Sequence, residues 1–407
     1  MKNILLITDP YPPQIYSISL MMQQLAEELV VRGNNVTVAT PWSANNLSTE
    51  DKQIDFAALS KENGVHVIRV KTLPLHNTNL VIRGISQLLL PYLFKKKIKK
   101  YCKFKIDAVI VYSPPLPLSI LGNKLKRKFG ALYILNIQDI FPQSPIDLGV
   151  MRNKILIRYF EYMESKAYHN ADKISSHTIS SRLFLIENKN VPPDKIYYCP
   201  NWIDENPYLN IRRTNSFRRK LGLEGKFVIL FGGVVGLSQG LDLIIEAAIL
   251  LKSESSIIFL IAGEGTEKGK LMKIAEEYSL RNVLFHPFVS QEIYPELVKE
   301  ADVGLVCLST MNKTPVIPGK VWGYMAASIP VVAFLNKESD GHILIKEAEC
   351  GYSIVSDTSP EEIKKLILKI FGEKAQLKRY GENGHRYVLK HFAKDVCIDN
   401  LIKLIAD

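Results

Sequence analysis

Apolar and polar positions along this chain follow two patterns that take turns. Short apolar runs bounded by turn residues give way to longer stretches with apolar residues every three or four positions, as buried strands alternate with amphipathic helices. Asn3–Thr8 reads as a strand and Ser17–Arg32 as a helix, with Gly33 where a helix C-terminal glycine belongs. Val36–Thr40, Val65–Val70, Ala108–Tyr112 and Leu132–Ile137 read as further strands. After Asn201-Trp202-Ile203-Asp204 the pattern breaks into a polar stretch with Arg212, Arg213, Asn215, Arg218, Arg219 and Lys220, which reads as a linker. A second series starts at strand Phe227–Phe231 and runs through strands Ile257–Ala262, Val283–Phe285 and Val303–Leu308, with helices between them. Pro360–Phe371 and Lys374–Leu389 read as closing helices.

This order predicts parallel sheets, hence an α/β chain of two Rossmann-like doubly wound domains. The expected division is 1–204 and 205–385, with 386–407 folding back on the first domain. A length of 407 residues agrees, being too long for one ordinary core. The cysteines (Cys102, Cys199, Cys307, Cys350 and Cys397) are scattered with no C-x-x-C pair, which fits a reducing cytoplasm and argues against a disulfide scaffold or zinc site. The apolar run after Met1-Lys2-Asn3 stops at Asp9-Pro10, too early for a signal peptide. The longest candidate membrane run, Leu88–Phe94, contains Pro91 and falls far short of the about 20 residues a spanning helix needs.

The net charge of +11 is unevenly spread. Lysines crowd Lys95–Lys105, directly after the apolar stretch Asn79–Phe94. Alone, such a run reads as a solvated helix face. Beside apolar residues it suits an anionic membrane surface, with Leu89, Leu93 and Phe94 at headgroup depth and Lys95, Lys96, Lys97, Lys99 and Lys100 over the lipid charge. Nucleic acid is the competing partner for a basic patch. Nothing else in the chain resembles a nucleic-acid reader, so the expectation is membrane and no nucleic acid.

Two segments carry the candidate chemistry. Ile317–Phe334, IPGKVWGYMAASIPVVAF, reads as a loop, a short helix opened by Pro318-Gly319-Lys320, a turn at Pro330 and a buried strand. A helix start with a lysine beside it is a seat for phosphate. Gly232-Gly233-x-x-Gly236-x-x-x-Gly240 follows a strand and opens a helix, so backbone can approach a diphosphate closely. It is neither G-x-G-x-x-G nor a Walker loop, which disfavours nicotinamide and ATP; a tight turn without ligand is the other reading. No D-x-D or H-E-x-x-H occurs.

With FGGVVGLSQGLDLIIEA (Phe231–Ala247), IAGEG (Ile261–Gly265) and FHPFVSQEIYPELVKEADVGLV (Phe285–Val306), these segments resemble, in order and spacing, the family 4 glycosyltransferases, whose usual donor signature is P-S-K-x-x-E-Y-M-A-A-G-x-P-V. The resemblance implies the GT-B architecture, two domains facing across a cleft, and a retaining, metal-independent transferase that needs no cofactor beyond a UDP-sugar co-substrate. It implies donor contacts at Gly232, Gly233, Val234, Gly236, Gln239, Gly263, Glu264, Gly265, Phe288, Val289, Pro318, Gly319 and Lys320. The acceptor side would use Pro13, Tyr16, Ser17, Gln138 and Asp139, the last two in the segment Asn136–Pro142, similar to the Q-D-L-W-P of N-acetylfucosamine transferases of O-antigen and capsule synthesis. Asp139 would orient or deprotonate an acceptor hydroxyl; capping the following turn is its other reading. Asp139 and Lys320 would be the catalytic residues. The implied acceptor is a polyprenyl-diphosphate-linked saccharide, and the implied place is the cytoplasmic side of the plasma membrane, peripherally bound.

The chain departs from the family pattern in three places. Val234, Leu237 and Gln239 replace the loop's usual basic residues, Pro315 and Gly323 stand where two glutamates are usual, and Tyr16-Ser17 replaces a Gly-Gly. A UDP-N-acetylglucosamine 2-epimerase-like enzyme and a non-catalytic nucleotide-sugar-binding relative therefore stay open.

Overall fold

The computed structural model describes residues 1–14, 16–42, 56–75 and 78–406. The chain divides into two compact units. Met1–Ile146, Met151–Pro200 and Ile398–Asp407 form the first, and Asp147–Val150 with Asn201–Cys397 form the second.

The first unit is built on β1 (Asn3–Ile7), β2 (Asn35–Trp42), β3 (Leu59–Glu62), β4 (Val65–Lys71), β5 (Ala108–Ser113), β6 (Leu132–Ile137), β7 (Lys173–Ser176) and β8 (Ile196–Tyr198). Their order in the sheet is β3-β4-β2-β1-β5-β6-β7-β8. All pairs are parallel except β3–β4, which Asn63-Gly64 joins with φ of 46° and 86°, the left-handed pair a two-residue hairpin turn needs. All six residues of β5 are buried, as expected of a parallel strand covered on both faces. Because β1 lies between β2 and β5, the chain leaves it in opposite directions, and the crevice beyond its carboxyl end is where such sheets bind ligands.

Helix Leu80–Tyr101 starts at Asn79, whose side chain accepts from the Ile82 N–H at 2.9 Å. Leu90, Phe94 and Ile98, four apart, form its core stripe and are almost fully buried. This corrects the expected lipid contact of Phe94, and Leu93 is likewise half-buried against the core. The solvent side instead carries Ile85, Leu88, Leu89 and Tyr92, followed by Lys95, Lys96, Lys99 and Lys100. Among the described residues no helix is long and apolar enough to cross a membrane.

The last helix, Lys394–Ala406, rejoins the first unit from Ile398 onward. The Lys173 ammonium donates to the Leu404 carbonyl at 3.0 Å, satisfying an acceptor of the final turn, and Arg32 pairs with Asp399.

The second unit has β9 (Phe227–Gly232), β10 (Ile257–Ala262), β11 (Val283–His286), β12 (Val303–Cys307), β13 (Val331–Leu335) and β14 (Gly351–Val355), all parallel in the order β11-β10-β9-β12-β13-β14. Its direction reverses between β9 and β12, so the loops after these two strands flank the switch point. The stretch read as a linker is built into this unit. Arg218 is buried and pairs with Asp302 at 2.7 Å, while Glu300 accepts from the backbone N–H groups of Ser216 at 2.7 Å and Arg218 at 3.0 Å.

Candidate active site

At the carboxyl end of β9, Gly232 has no room for a side chain. A Cβ on Gly232 would lie 2.5 Å from the Tyr294 hydroxyl. The Gly232 N–H donates to the Tyr324 hydroxyl at 3.0 Å, and that hydroxyl donates to the Leu230 carbonyl at 3.0 Å. Tyr294 also hydrogen-bonds to Tyr324. Gly233 then turns with φ of 133°, which suits glycine. The next loop presses against it: a Cβ on Gly263 would stand 1.8 Å from the Gly233 carbonyl oxygen, and one on Gly265 would stand 2.1 Å from that of Val235. The two loops are tied by Gly233 N–H to the Ala262 carbonyl and Val235 N–H to the Glu264 carbonyl, both 2.9 Å.

Lys320 opens the short helix Lys320–Ala326. Its ammonium donates to Gln239 Oε1 at 2.7 Å and sits 4.7 Å from the centre of the Phe231 ring, and its Cε is 3.7 Å from the Cβ position of Gly233. Burial brings its pKa from 10.5 down to about 8, with nearby Cys307 opposing. The Cys307 thiol is itself pushed up to about 12 by burial, so it is neutral. The structure thus joins Lys320, Gln239 and Gly233 in one place, with Gly232, Gly263 and Gly265 shaping it.

Other expected donor residues are placed differently. Glu264 is exposed and pairs with Lys268 at 2.7 Å, whose ammonium also donates to the Gly263 carbonyl at 2.9 Å. Val234 and Phe288 are exposed, Val289 and Gly236 half-buried, Pro318 buried and Gly319 exposed. Pro315 is buried. At Gly323, a Cβ would stand 3.2 Å from the hydroxyl of Tyr208, a residue that sequence reasoning missed, as it did Tyr294 and Lys268.

In the first unit, Gln138 and Asp139 follow β6. Gln138 Nε2 donates to Asn136 Oδ1 at 2.9 Å. Asp139 keeps an accessible surface, yet crowding by protein raises its carboxyl above the usual range, with the positive charge of His177 pulling it back. Among the described residues it makes no side-chain bond capping the following turn. His177, directly after β7, is buried, with Nδ1 3.4 Å from the Ile137 carbonyl. Burial raises the Tyr112 phenol far up, helped by the charges of Asp139 and Asp9. Asp9, Tyr112, Asp139 and His177 therefore form one titratable cluster at the carboxyl ends of β1, β5, β6 and β7. His177 carried no sequence signal, since its partner lies 38 positions away. Pro13 and Tyr16 are half-buried and Ser17 is exposed at a helix start; Ile15 between them lies outside the described residues.

Two helix-flanked, mostly parallel sheets with glycine loops and a half-buried lysine at a switch point define an α/β enzyme of the GT-B fold. Residues 18–206 match Glycosyltransferase Family 4, and residues 213–387 match Glycosyl transferases group 1. The chain belongs to the family 4 glycosyltransferases. It is 30% identical over 274 residues to WcaI of Escherichia coli K12, ascribed to colanic acid biosynthesis as a glycosyl transferase; the match covers 66% of each chain. Sucrose-phosphate synthase from Thermosynechococcus elongatus shares the fold with a TM-score of 0.79 at 16% identity, over 100% of this chain and 98% of that one. Anabaena HepE in complex with UDP does so with a TM-score of 0.74 at 14% identity, over 100% of both chains.

Proposed function

We propose that this protein transfers a sugar from a nucleoside-diphosphate donor, UDP-linked, to a lipid-diphosphate-linked saccharide in surface-polysaccharide synthesis. The observation that carries this reading is Lys320 against Gly233 at the switch point of the second sheet. There an ammonium with few competing partners and a glycine-rich loop suit a diphosphate. The complex of HepE, which shares this fold, with UDP and the assignment of WcaI to colanic acid biosynthesis support the same reading.

The chemistry is leaving-group stabilisation. As the bond from the anomeric carbon to the diphosphate oxygen breaks, charge grows on that oxygen, and Lys320 together with loop N–H groups meets it without metal. The acceptor hydroxyl replaces it on the same face of the sugar, with retention, and gives its proton to the departing phosphate; Asp139 orients that hydroxyl. An N-acetylated amino sugar such as N-acetylfucosamine is the proposed cargo, on the resemblance of the Asn136–Pro142 segment. The exposed stripe Leu89, Tyr92, Lys95, Lys96, Lys99 and Lys100 supports peripheral attachment to an anionic, cytoplasm-facing membrane, where such an acceptor resides. Release of nucleotide from a panel of nucleotide sugars, with and without lipid-diphosphate saccharide, tests the reading. Acceptor-dependent release of UDP is expected; release without acceptor but with sugar epimerised, or no release at all, refutes it.

A further inference from the structure

We propose that Lys268 is a positioning residue for the donor: it fixes the loop after β10 and, through that loop, the Gly233 turn, an inference that rests on the nucleotide-sugar reading above. Lys268 opens helix Lys268–Glu277, which has no side-chain cap and no acidic residue in its first turn. A lysine there faces the positive end of the helix dipole, so the position is unfavourable by itself. The ammonium is nonetheless withdrawn from solvent, its side chain being only 14% exposed. Backbone holds it. It donates to the Gly263 carbonyl at 2.9 Å and to the His286 carbonyl at 3.3 Å, with Glu264 as a third partner at 2.7 Å. Glu264 is largely exposed, and an ion pair open to water contributes little. The two carbonyls therefore define the role: one ammonium clamps the loop after β10 to the end of β11.

That clamp reaches the diphosphate seat because no side chain cushions the contact between the loops after β9 and β10. These strands and β11 are neighbours, and their ladder continues past the strand ends: the Gly263 N–H donates to the His286 carbonyl at 3.1 Å, and the Gly233 N–H to the Ala262 carbonyl at 2.9 Å. Gly263, with φ of 153°, abuts the Gly233 carbonyl oxygen backbone to backbone. The Val235 carbonyl accepts from the Glu267 N–H at 3.1 Å, so the residue before Lys268 is tied to the same loop. Close-packed backbone passes a displacement on instead of absorbing it. Without Lys268 the loop would shift and carry Gly233 with it, and Lys320, whose Cε is 3.7 Å from the Cβ position of Gly233, would lose the wall it lies against. The seat leans on this frame the more because Val234, Leu237 and Gln239 stand where basic residues are usual.

Calorimetric titration of the full chain with UDP, joined to hydrogen–deuterium exchange read by mass spectrometry, tests this. Lys268→Met keeps the length of the side chain and removes its N–H groups. It should bind UDP about tenfold more weakly, since small misplacements of a binding frame are costly. It should also exchange faster in residues 232–240 and 262–268, with β12 and β13 unchanged. Lys268→Arg, whose guanidinium can donate to both carbonyls, should regain most of the affinity and the protection. A side chain that only added stability would leave UDP affinity untouched far below the melting temperature. If Lys268→Met does not fold, Lys268→Gln, whose amide can still donate to one carbonyl, is read by the same criteria. Wild-type affinity in Lys268→Met, weaker binding without faster exchange in those two stretches, or an arginine variant as weak as the methionine one overturns the inference alone. Wild-type protein that does not bind UDP brings down the donor reading and the inference with it.

Discussion

Lys320 permits a prediction in which protonation, binding and stability must move together. With a pKa of about 8 in the free protein, its ammonium is about 90% formed at pH 7 and about 10% formed at pH 9. UDP's phosphates are fully ionised across that range, their last proton leaving near pH 6. If the diphosphate binds the charged form, UDP affinity should fall about tenfold from pH 7 to pH 9, and binding at pH 8.5 should take up a proton. Lys320→Met removes a charge-assisted bond of about 1.5–3 kcal/mol, weakening UDP about ten- to hundredfold at pH 7 and abolishing the pH dependence. Stability should move the opposite way. A lysine whose folded pKa lies below its unfolded value destabilises the fold most below pH 8, and that cost disappears as pH rises from about 8 to 10.5. Lys320→Met should therefore melt higher than wild type at pH 7 and lose this advantage towards pH 10.5. Titration calorimetry in buffers of different ionisation enthalpy, with melting curves across pH, measures all three. Wild-type UDP affinity equal at pH 7 and 9 would refute the placement of Lys320 at the diphosphate.

Asp139→Asn should cut transfer by about 10²–10⁴-fold while sparing UDP binding and melting temperature, whereas a capping role would leave transfer near wild type. Because its carboxyl is raised and His177 pulls it back, transfer should fall as pH drops through that raised value, and His177→Asn should move the acid limb of the rate profile to higher pH. A limb that stays put removes His177 from Asp139's surroundings in function. Replacing Lys95, Lys96, Lys99 and Lys100 by Gln should release the protein from anionic vesicles, about 1 kcal/mol per charge, and sedimentation insensitive to both salt and substitution counts against docking. Tyr324→Phe leaves the buried Gly232 N–H unpaired and should cost about 1–3 kcal/mol in denaturant unfolding, with no loss if that N–H finds another acceptor.

The two doubly wound sheets were legible because their strands are written as local apolar runs. The glycines at 232, 233, 263 and 265 were legible because they follow predicted strands, although what excludes a side chain there is tertiary: Tyr294 at Gly232 and backbone carbonyls at Gly263 and Gly265. What sequence hid is tertiary. Arg218 read as part of a linker, since nothing local says that it will close on charges more than 80 positions away. Phe94 was misplaced although helical phase held the answer: Leu90, Phe94 and Ile98 recur every fourth residue and must share a face. β3 went unseen because its four residues are exposed or half-buried, with no apolar run to betray them.

The backbone contact between Gly233 and Gly263 bears on how this enzyme could be re-engineered. Any methyl at 263 would stand 1.8 Å from a carbonyl oxygen, so a random library that included this position would spend most of its members on misfolded loops. Diversity fits elsewhere: Val234 and Leu237 are exposed in the loop after β9, at the proposed diphosphate seat, and Phe288 is exposed beyond β11. A search for variants accepting other nucleotide sugars should hold the glycines fixed and randomise those three positions, where side chains change what a ligand meets without moving the frame that meets it.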